Sequence, residues 1–256
     1  MIVMDSINQD ELNLLLKMAK FAKIAYASEM EACDFGKREG YASYEFLDHQ
    51  GAQCHIFGSD EELILAFRGT ERGKDGDFWA SLNLRKHKLP SNFIGKIHKG
   101  YYHEYLALHE TLLQKFSESS FITEDLLQNR KVYFTGHSLG GALATIAHRD
   151  LYPGTGNELI TFGSPRVGDK NFAQDHIGVP HRRVVNSNDT ICYLPPSFIG
   201  FAHHGQKIYL NRDSEIEINP TFRRVFMDGV RGLFNGLKDH EMARYVDELE
   251  KHVQAS

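Results

Sequence analysis

The segment Val132-Tyr133-Phe134-Thr135-Gly136-His137-Ser138-Leu139-Gly140-Gly141-Ala142-Leu143-Ala144 constrains this chain more than any other. A β-rich run leads into a glycine-flanked serine, and good helix formers follow it. A serine on so tight a strand-to-helix turn sits in strained backbone, where neighbours with side chains would collide, and glycines relieve the crowding. The turn exposes the serine oxygen. The start of the following helix turns backbone N–H groups, that of Leu139 foremost, and its positive dipole end toward any negative charge developing there. As a bare pattern, Gly-x-Ser-x-Gly arises by chance in roughly one chain in ten of this length, so its weight comes from the strand before it and the helix after it.

The rest of the chain alternates in a way that suits that turn. Residues 10–27 carry Leu12, Leu15, Leu16, Ala19, Phe21, Ala22 and Ala25 at helical spacing, which predicts an amphipathic first helix. Residues 41–46, 52–57 and 62–67 read as strands with short turns between them, an antiparallel meander. A helix over residues 98–117, strand 131–135, helix 139–151, strand 158–162 and strand 183–186 follow, and strands separated by helices imply parallel pairing. Strands over 206–210 and 215–218 precede two closing helices, 221–235 and 239–253. The expectation is a mixed, mostly parallel sheet flanked by helices. Residues 71–96 are the least regular stretch and hold the one tryptophan, Trp79; an unstructured loop of that length is often a binding or lid segment.

Bulk properties bound the function. With 256 residues and no internal repeat or linker, a single domain over 1–256 is expected. A net charge of −5 with scattered basic residues leaves no surplus for a phosphate backbone, so nucleic acid is not an expected partner. No run of about 18 apolar residues occurs, so no transmembrane segment is expected. Met1 to Ser6 lack a basic n-region, an apolar h-region and a small-residue cleavage site. A cytoplasmic location is the corresponding expectation. Cys33, Cys54 and Cys192 are an odd number at wide spacing, which suits neither a disulfide framework nor a zinc site.

A serine nucleophile needs a general base, and the base needs an acid to fix its tautomer. Asp189 follows the strand Arg183-Val184-Val185-Asn186 at its C-terminal end, where such sheets place ligands, and is the leading acid candidate. Asp169 and Asp175 flank a short helical stretch and read as caps or solvated charges. If the base follows the acid, as it does on sheets with this kind of turn, His203, His204, His240 and His252 are available. Sequence order does not separate His240 from His203 and His204. Ala66-Phe67-Arg68-Gly69-Thr70 ends the third strand on a glycine and a hydroxyl residue, as a second oxyanion donor would.

Together, Phe67-Arg68-Gly69-Thr70, Gly136-His137-Ser138-Leu139-Gly140-Gly141, Thr161-Phe162-Gly163-Ser164-Pro165-Arg166-Val167-Gly168 and the stretch from Arg183 through Asp189 to Leu194-Pro195-Pro196 resemble the class 3 lipases of the filamentous-fungal type over about residues 20–245. The resemblance implies the α/β-hydrolase fold, with Ser138 as nucleophile, Asp189 as acid, His240 as base, and Thr70 and Leu139 as the oxyanion hole. It favours His240 because His204-Gly205 ahead of Ile208-Tyr209 looks like a structural strand entry of the family. It also implies a lid at about residues 71–97, with Trp79, Phe78, Leu82 and Leu84 as its apolar face, and a pocket tyrosine at Tyr26. No cofactor or metal is implied. The implied substrate is an acyl-ester lipid, with transient contact to a lipid interface. Fungal members are secreted and disulfide-linked, so this chain looks more like a bacterial or non-secreted relative. The candidate lid carries more charge than an oil-facing helix needs. Phospholipase A1 activity on membrane lipid and a non-catalytic lipase-like interaction module are the alternatives.

Overall fold

The computed structural model describes residues 7–70, 85–88, 94–118, 130–151, 157–175, 178–221, 223–225, 228 and 236–255. In chain order the elements are α1 (Gln9–Ile24), α2 (Glu29–Arg38), β1 (Ser43–His49), β2 (Ala52–Gly58), β3 (Glu62–Phe67), β4 (Lys86–Lys88), β5 (Lys96–His98), α3 (Lys99–Glu118), β6 (Lys131–His137), α4 (Leu139–Leu151) and β7 (Glu158–Phe162). There follow β8 (Gly168–Asp169), α5 (Lys170–Asp175), β9 (His181–Asn186), β10 (Phe201–Ala202), β11 (Gln206–Leu210), β12 (Ile216–Ile218), α6 (Gly236–Asp239) and α7 (Met242–Ala255). Two short 3₁₀ turns, Thr190–Tyr193 and Ser197–Ile199, lie between β9 and β10.

Eight strands form one sheet in the order β1-β2-β3-β6-β7-β9-β11-β12. The meander β1-β2-β3 and the β11-β12 pair are antiparallel, while β3, β6, β7, β9 and β11 run parallel. The central strands are apolar at successive positions because both faces of the sheet are covered. Side chains of a strand alternate between its faces, and here Leu63, Leu65, Phe67, Val132 and Phe134 join one core with Tyr101, Tyr105 and Leu143 from α3 and α4. Ile64, Ala66 and Tyr133 point the other way, into a core with Phe21 of α1 and Tyr245 and Leu249 of α7. The sheet is therefore sandwiched between two helical layers. A second sheet, β10-β8-β5-β4, is small and antiparallel.

The first helix is capped by Asn8, whose side chain accepts the Glu11 N–H at 2.8 Å, and Asp10 and Glu11 favour its positive end. It ends at Ile24, short of the expected 27, and α2 follows, an element the hydrophobic spacing did not suggest. That helix buries only Ala32 and Gly36, so its apolar face is nearly blank, but Ser28 and Glu31 form a full capping box at its start. His98, assigned to a helix from sequence, ends β5 instead, because it pairs with Lys86 on β4 and Ile97 pairs across to Gly168 on β8. Residues 86–88, inside the irregular stretch, pair as a strand with residues 96–98 at its close.

His55 lies on β2, fully buried, with its Nδ1 2.8 Å from the Tyr44 hydroxyl. Burial lowers its pKa from the ordinary 6.5 to about 4, so in the folded state it stays neutral in mild acid. The unfolded chain takes up that proton below pH 6.5, so stability present above 6.5 is lost as pH falls toward 4, by at most about 3 kcal/mol. Burial moves His203 in the same direction. The melting temperature is expected to fall steadily from about pH 6.5 to 4; a constant value over that interval would contradict this account.

Candidate active site

Strand β6 ends at His137 and α4 starts at Leu139, leaving Ser138 alone in the turn at φ 59, in the left-handed region. Glycine at 140 lets the start of α4 pack against the end of β3, since a Cβ there would come within 2.8 Å of the Arg68 carbonyl carbon, and glycine at 136 permits the turn, since a Cβ there would come within 2.9 Å of the Gly141 nitrogen. The Ser138 carbonyl accepts the Gly141 N–H at 3.0 Å, and its own N–H donates to the Phe162 carbonyl at 2.9 Å, which locks the strained residue to β7.

The other two members of the expected triad reach the serine from the next elements along the sheet and from the C-terminal layer. His240 Nε2 lies 2.8 Å from Ser138 Oγ, and His240 Nδ1 lies 2.8 Å from Asp189 Oδ2. All three residues are buried, so the serine that the turn was expected to expose is covered in this structure. An ionised carboxylate can only accept, so Nδ1 carries the proton and Nε2 is left to accept from the serine hydroxyl. Gly163, at φ 56, lets the backbone run over this pair, for a Cβ there would stand 2.7 Å from Asp189 Oδ2 and 3.0 Å from His240 Nδ1.

Asp189 is held at both oxygens. Oδ1 accepts the Ile191 N–H at 2.9 Å, and Oδ2 accepts the Tyr245 hydroxyl at 2.5 Å as well as the histidine. Burial first, and the Asp189 carboxylate second, hold the Tyr245 hydroxyl well above the usual phenol range, so it remains a donor. The turn carrying His240 is fixed through Asp239, whose Oδ2 lies 2.5 Å from an Arg212 guanidinium nitrogen and 3.3 Å from the Asn188 N–H. Asn186 donates to the Asp239 carbonyl at 3.0 Å. One carboxylate thus ties the base-bearing turn to the loop bearing the acid.

His137 makes a second clamp. Its Nε2 donates to the His240 carbonyl at 2.6 Å, its Nδ1 accepts from the Tyr26 hydroxyl at 2.9 Å, and its ring centroid is 4.5 Å from that of His240. Tyr26, expected as a pocket residue, is half-buried and acts here on the neighbour of the nucleophile. Thr70 and Leu139 lie at the same end of the sheet: Phe67 is opposite Gly136 in the parallel β3-β6 pair, and each residue follows that point by three positions.

Of the four candidate bases, only His240 meets Ser138. His203 Nε2 lies 2.7 Å from the Cys192 carbonyl, His204 Nδ1 lies 3.1 Å from that of His181, and His252 is on α7. Asp169 caps α5 through the Phe172 N–H, as expected, whereas Asp175 is neither a cap nor solvated but pairs with Arg149. Phe78, Trp79, Leu82 and Leu84 lie outside the described residues. Tyr245, Asp239, Arg212 and His137 were not singled out from sequence; the one local signal was position, Asp239 preceding the base and Tyr245 one turn into the helix after it. Among the described residues no group of three His, Cys, Asp or Glu is arranged to hold a metal ion, and no helix is long and apolar enough to cross a membrane.

The model of the family described as Lipase (class 3) matches residues 64–199, just over half of the chain, from β3 through Ser138 and Asp189. The chain belongs to the class 3 lipases. A lipase of Rhizomucor miehei is 33% identical over 169 residues, covering 61% of this chain but only 44% of that relative. The solved structure of the Rhizomucor miehei triacylglyceride lipase is 25% identical, with a TM-score of 0.68 over 84% of this chain and 86% of that one. A triacylglycerol lipase described as having a serine protease triad at its catalytic centre superposes with a TM-score of 0.72 over 93% and 95% of the two chains; at 22% identity it shows the shared fold alone. The α/β-hydrolase fold expected from sequence is the fold of this class 3 lipase.

Asp239→Asn keeps the side-chain shape but removes the charge facing Arg212. It is expected to lower kcat on a soluble ester on the order of 10-fold and leave KM within about two-fold, since small misplacements of a reacting group act on rate more than on binding. Steady-state kinetics check this, and an unchanged kcat would show that the ion pair does not position the base.

Proposed function

We propose that this lipase hydrolyses carboxylic esters of lipid alcohols, acylglycerols first, through an acyl-enzyme on Ser138. The observation that carries the reading is the unbroken line from Asp189 Oδ2 through the His240 ring to Ser138 Oγ, with 2.8 Å at both contacts. His240 Nε2 takes the hydroxyl proton as Oγ bonds to the ester carbonyl carbon, and the carbonyl electron pair moves onto oxygen. The Thr70 and Leu139 backbone N–H groups receive that oxyanion. Asp189 stabilises the imidazolium and does not itself take the proton. As the tetrahedral intermediate collapses, the C–O bond to the alcohol breaks and the imidazolium returns its proton to the leaving oxygen. A water molecule, deprotonated by the same nitrogen, then bonds to the acyl carbon; as this second tetrahedral intermediate collapses, the bond to Oγ breaks, the acid leaves and the imidazolium returns its proton to Ser138 Oγ.

Membership of the lipase family and the acylglycerol names of similar proteins support a lipid ester over a peptide. The reading is tested with p-nitrophenyl esters from acetyl to palmitoyl, run beside triglyceride and phosphatidylcholine emulsions. Fatty acid release from the triglyceride, with a rise above the substrate's solubility limit, is expected for a true lipase. Release from phosphatidylcholine alone would move the assignment to a phospholipase, and turnover of short soluble esters alone would make it an esterase.

A further inference from the structure

The small sheet carries a charge pattern that the triad does not use. Residues 85–88 and 94–99 include Arg85, Lys86, Lys88, Lys96 and Lys99 and no Asp or Glu, in a chain whose net charge is −5. None of these five cations forms an ion pair among the described residues. In the antiparallel β4-β5 pair Lys88 stands directly opposite Lys96, and like charges facing each other across strands work against the fold. Both side chains are exposed, as is Arg85, and β4 is the edge of its sheet. Asp169 on the neighbouring β8 does not relieve them, since its Oδ1 accepts the backbone N–H groups of Lys96 and Phe172.

Apolar groups flank this basic strand pair. Phe198 is 88% exposed and Ile94 61%. The Phe198 turn is anchored to the strand pair by Lys86, whose Nζ donates to the Ile199 carbonyl at 2.9 Å and sits 4.8 Å from the Phe201 ring centroid. A basic surface edged by exposed large apolar side chains meets the two requirements for holding an anionic lipid surface, electrostatic attraction and shallow insertion. We propose that the paired strands β4 and β5, with Ile94 and the Phe198 turn, form the face by which this protein docks on an anionic lipid interface. The proposal rests on the lipase reading for the kind of surface, and on the strand pair's charge and the exposed Phe198 for its location and sign.

The test uses the full chain with Ser138→Ala, which keeps the vesicles intact. Co-sedimentation is measured with vesicles of phosphatidylcholine alone and of phosphatidylcholine with phosphatidylglycerol added to about a third, at low and high salt. Tighter binding to the mixed vesicles, weakened by salt, is expected. Lys88→Gln with Lys96→Gln should lower that binding about 25-fold, roughly five-fold for each lysine lost near an anionic surface. Phe198→Ser should weaken binding to both kinds of vesicle. In the chain with Ser138 intact, these substitutions should leave turnover of p-nitrophenyl acetate unchanged. Absence of vesicle binding, equal binding to the two compositions, or variants that bind like their parent would each overturn the proposal. Failure of the lipase reading has a different signature: patch-dependent vesicle binding with no ester turnover by the chain that retains Ser138.

Discussion

Alanine at Ser138 or at His240 is expected to lower kcat on a soluble p-nitrophenyl ester by about 10⁶-fold, the scale on which a nucleophile and its base act as one unit in serine hydrolases. The two changes should cost about the same, and combining them should add little. Without Nε2 at 2.8 Å, the Ser138 hydroxyl is a weak nucleophile at neutral pH. Without Oγ, the base has no proton to take. Both side chains are buried, so truncation leaves a small space rather than an exposed edge. A full denaturation curve for each variant separates lost chemistry from lost fold. Multiplicative losses would show that the two residues do not work in one step.

Asp189→Asn is the second large effect, about 10⁴-fold in kcat with the fold retained. The carboxylate accepts three hydrogen bonds, from His240 Nδ1, the Tyr245 hydroxyl and the Ile191 N–H. An amide has one oxygen, and its nitrogen can only donate. If the amide oxygen keeps the Ile191 N–H, its nitrogen faces His240, which must then accept at Nδ1 and carry its proton on Nε2, the wrong tautomer to receive from serine. If the amide oxygen turns to His240 instead, the Ile191 N–H meets another donor, and a buried donor without a partner costs about 1–3 kcal/mol. The variant should therefore be both slow and less stable. Kinetics beside thermal melting read the two effects separately. A kcat within about ten-fold of wild type would mean that Asp189 does not fix the tautomer.

The parts legible in the sequence were those whose cause is local. The Gly136 to Gly141 turn announces itself because crowding between adjacent residues demands those glycines, and Asp189 follows from its place after a strand. The central strands β3, β6 and β7 appear as largely apolar runs because both sheet faces are covered there. His240 is different. It lies 102 residues from Ser138, and nothing within its own segment distinguishes it from His203 or His204; packing of the C-terminal layer against the sheet makes the choice. The supporting contacts, Tyr26 to His137, Arg212 to Asp239 and Tyr245 to Asp189, join segments 111, 27 and 56 residues apart and leave no periodic trace. The second helix was missed for an opposite reason: its signal was a capping box, Ser28 with Glu31, and not a hydrophobic stripe. His98 went to β5 rather than α3 because β5 is made a strand by pairing on both sides, His98 with Lys86 of β4 and Ile97 with Gly168 of β8, which lies some seventy residues on.

The most direct test of the account is labelling of the folded protein with a fluorophosphonate, read by intact mass and peptide mapping. The geometry predicts one adduct per chain, on the peptide containing Ser138, formed rapidly by wild type, slowly by His240→Ala and not at all by Ser138→Ala. An adduct on another residue, or ester hydrolysis that persists in Ser138→Ala, would contradict it.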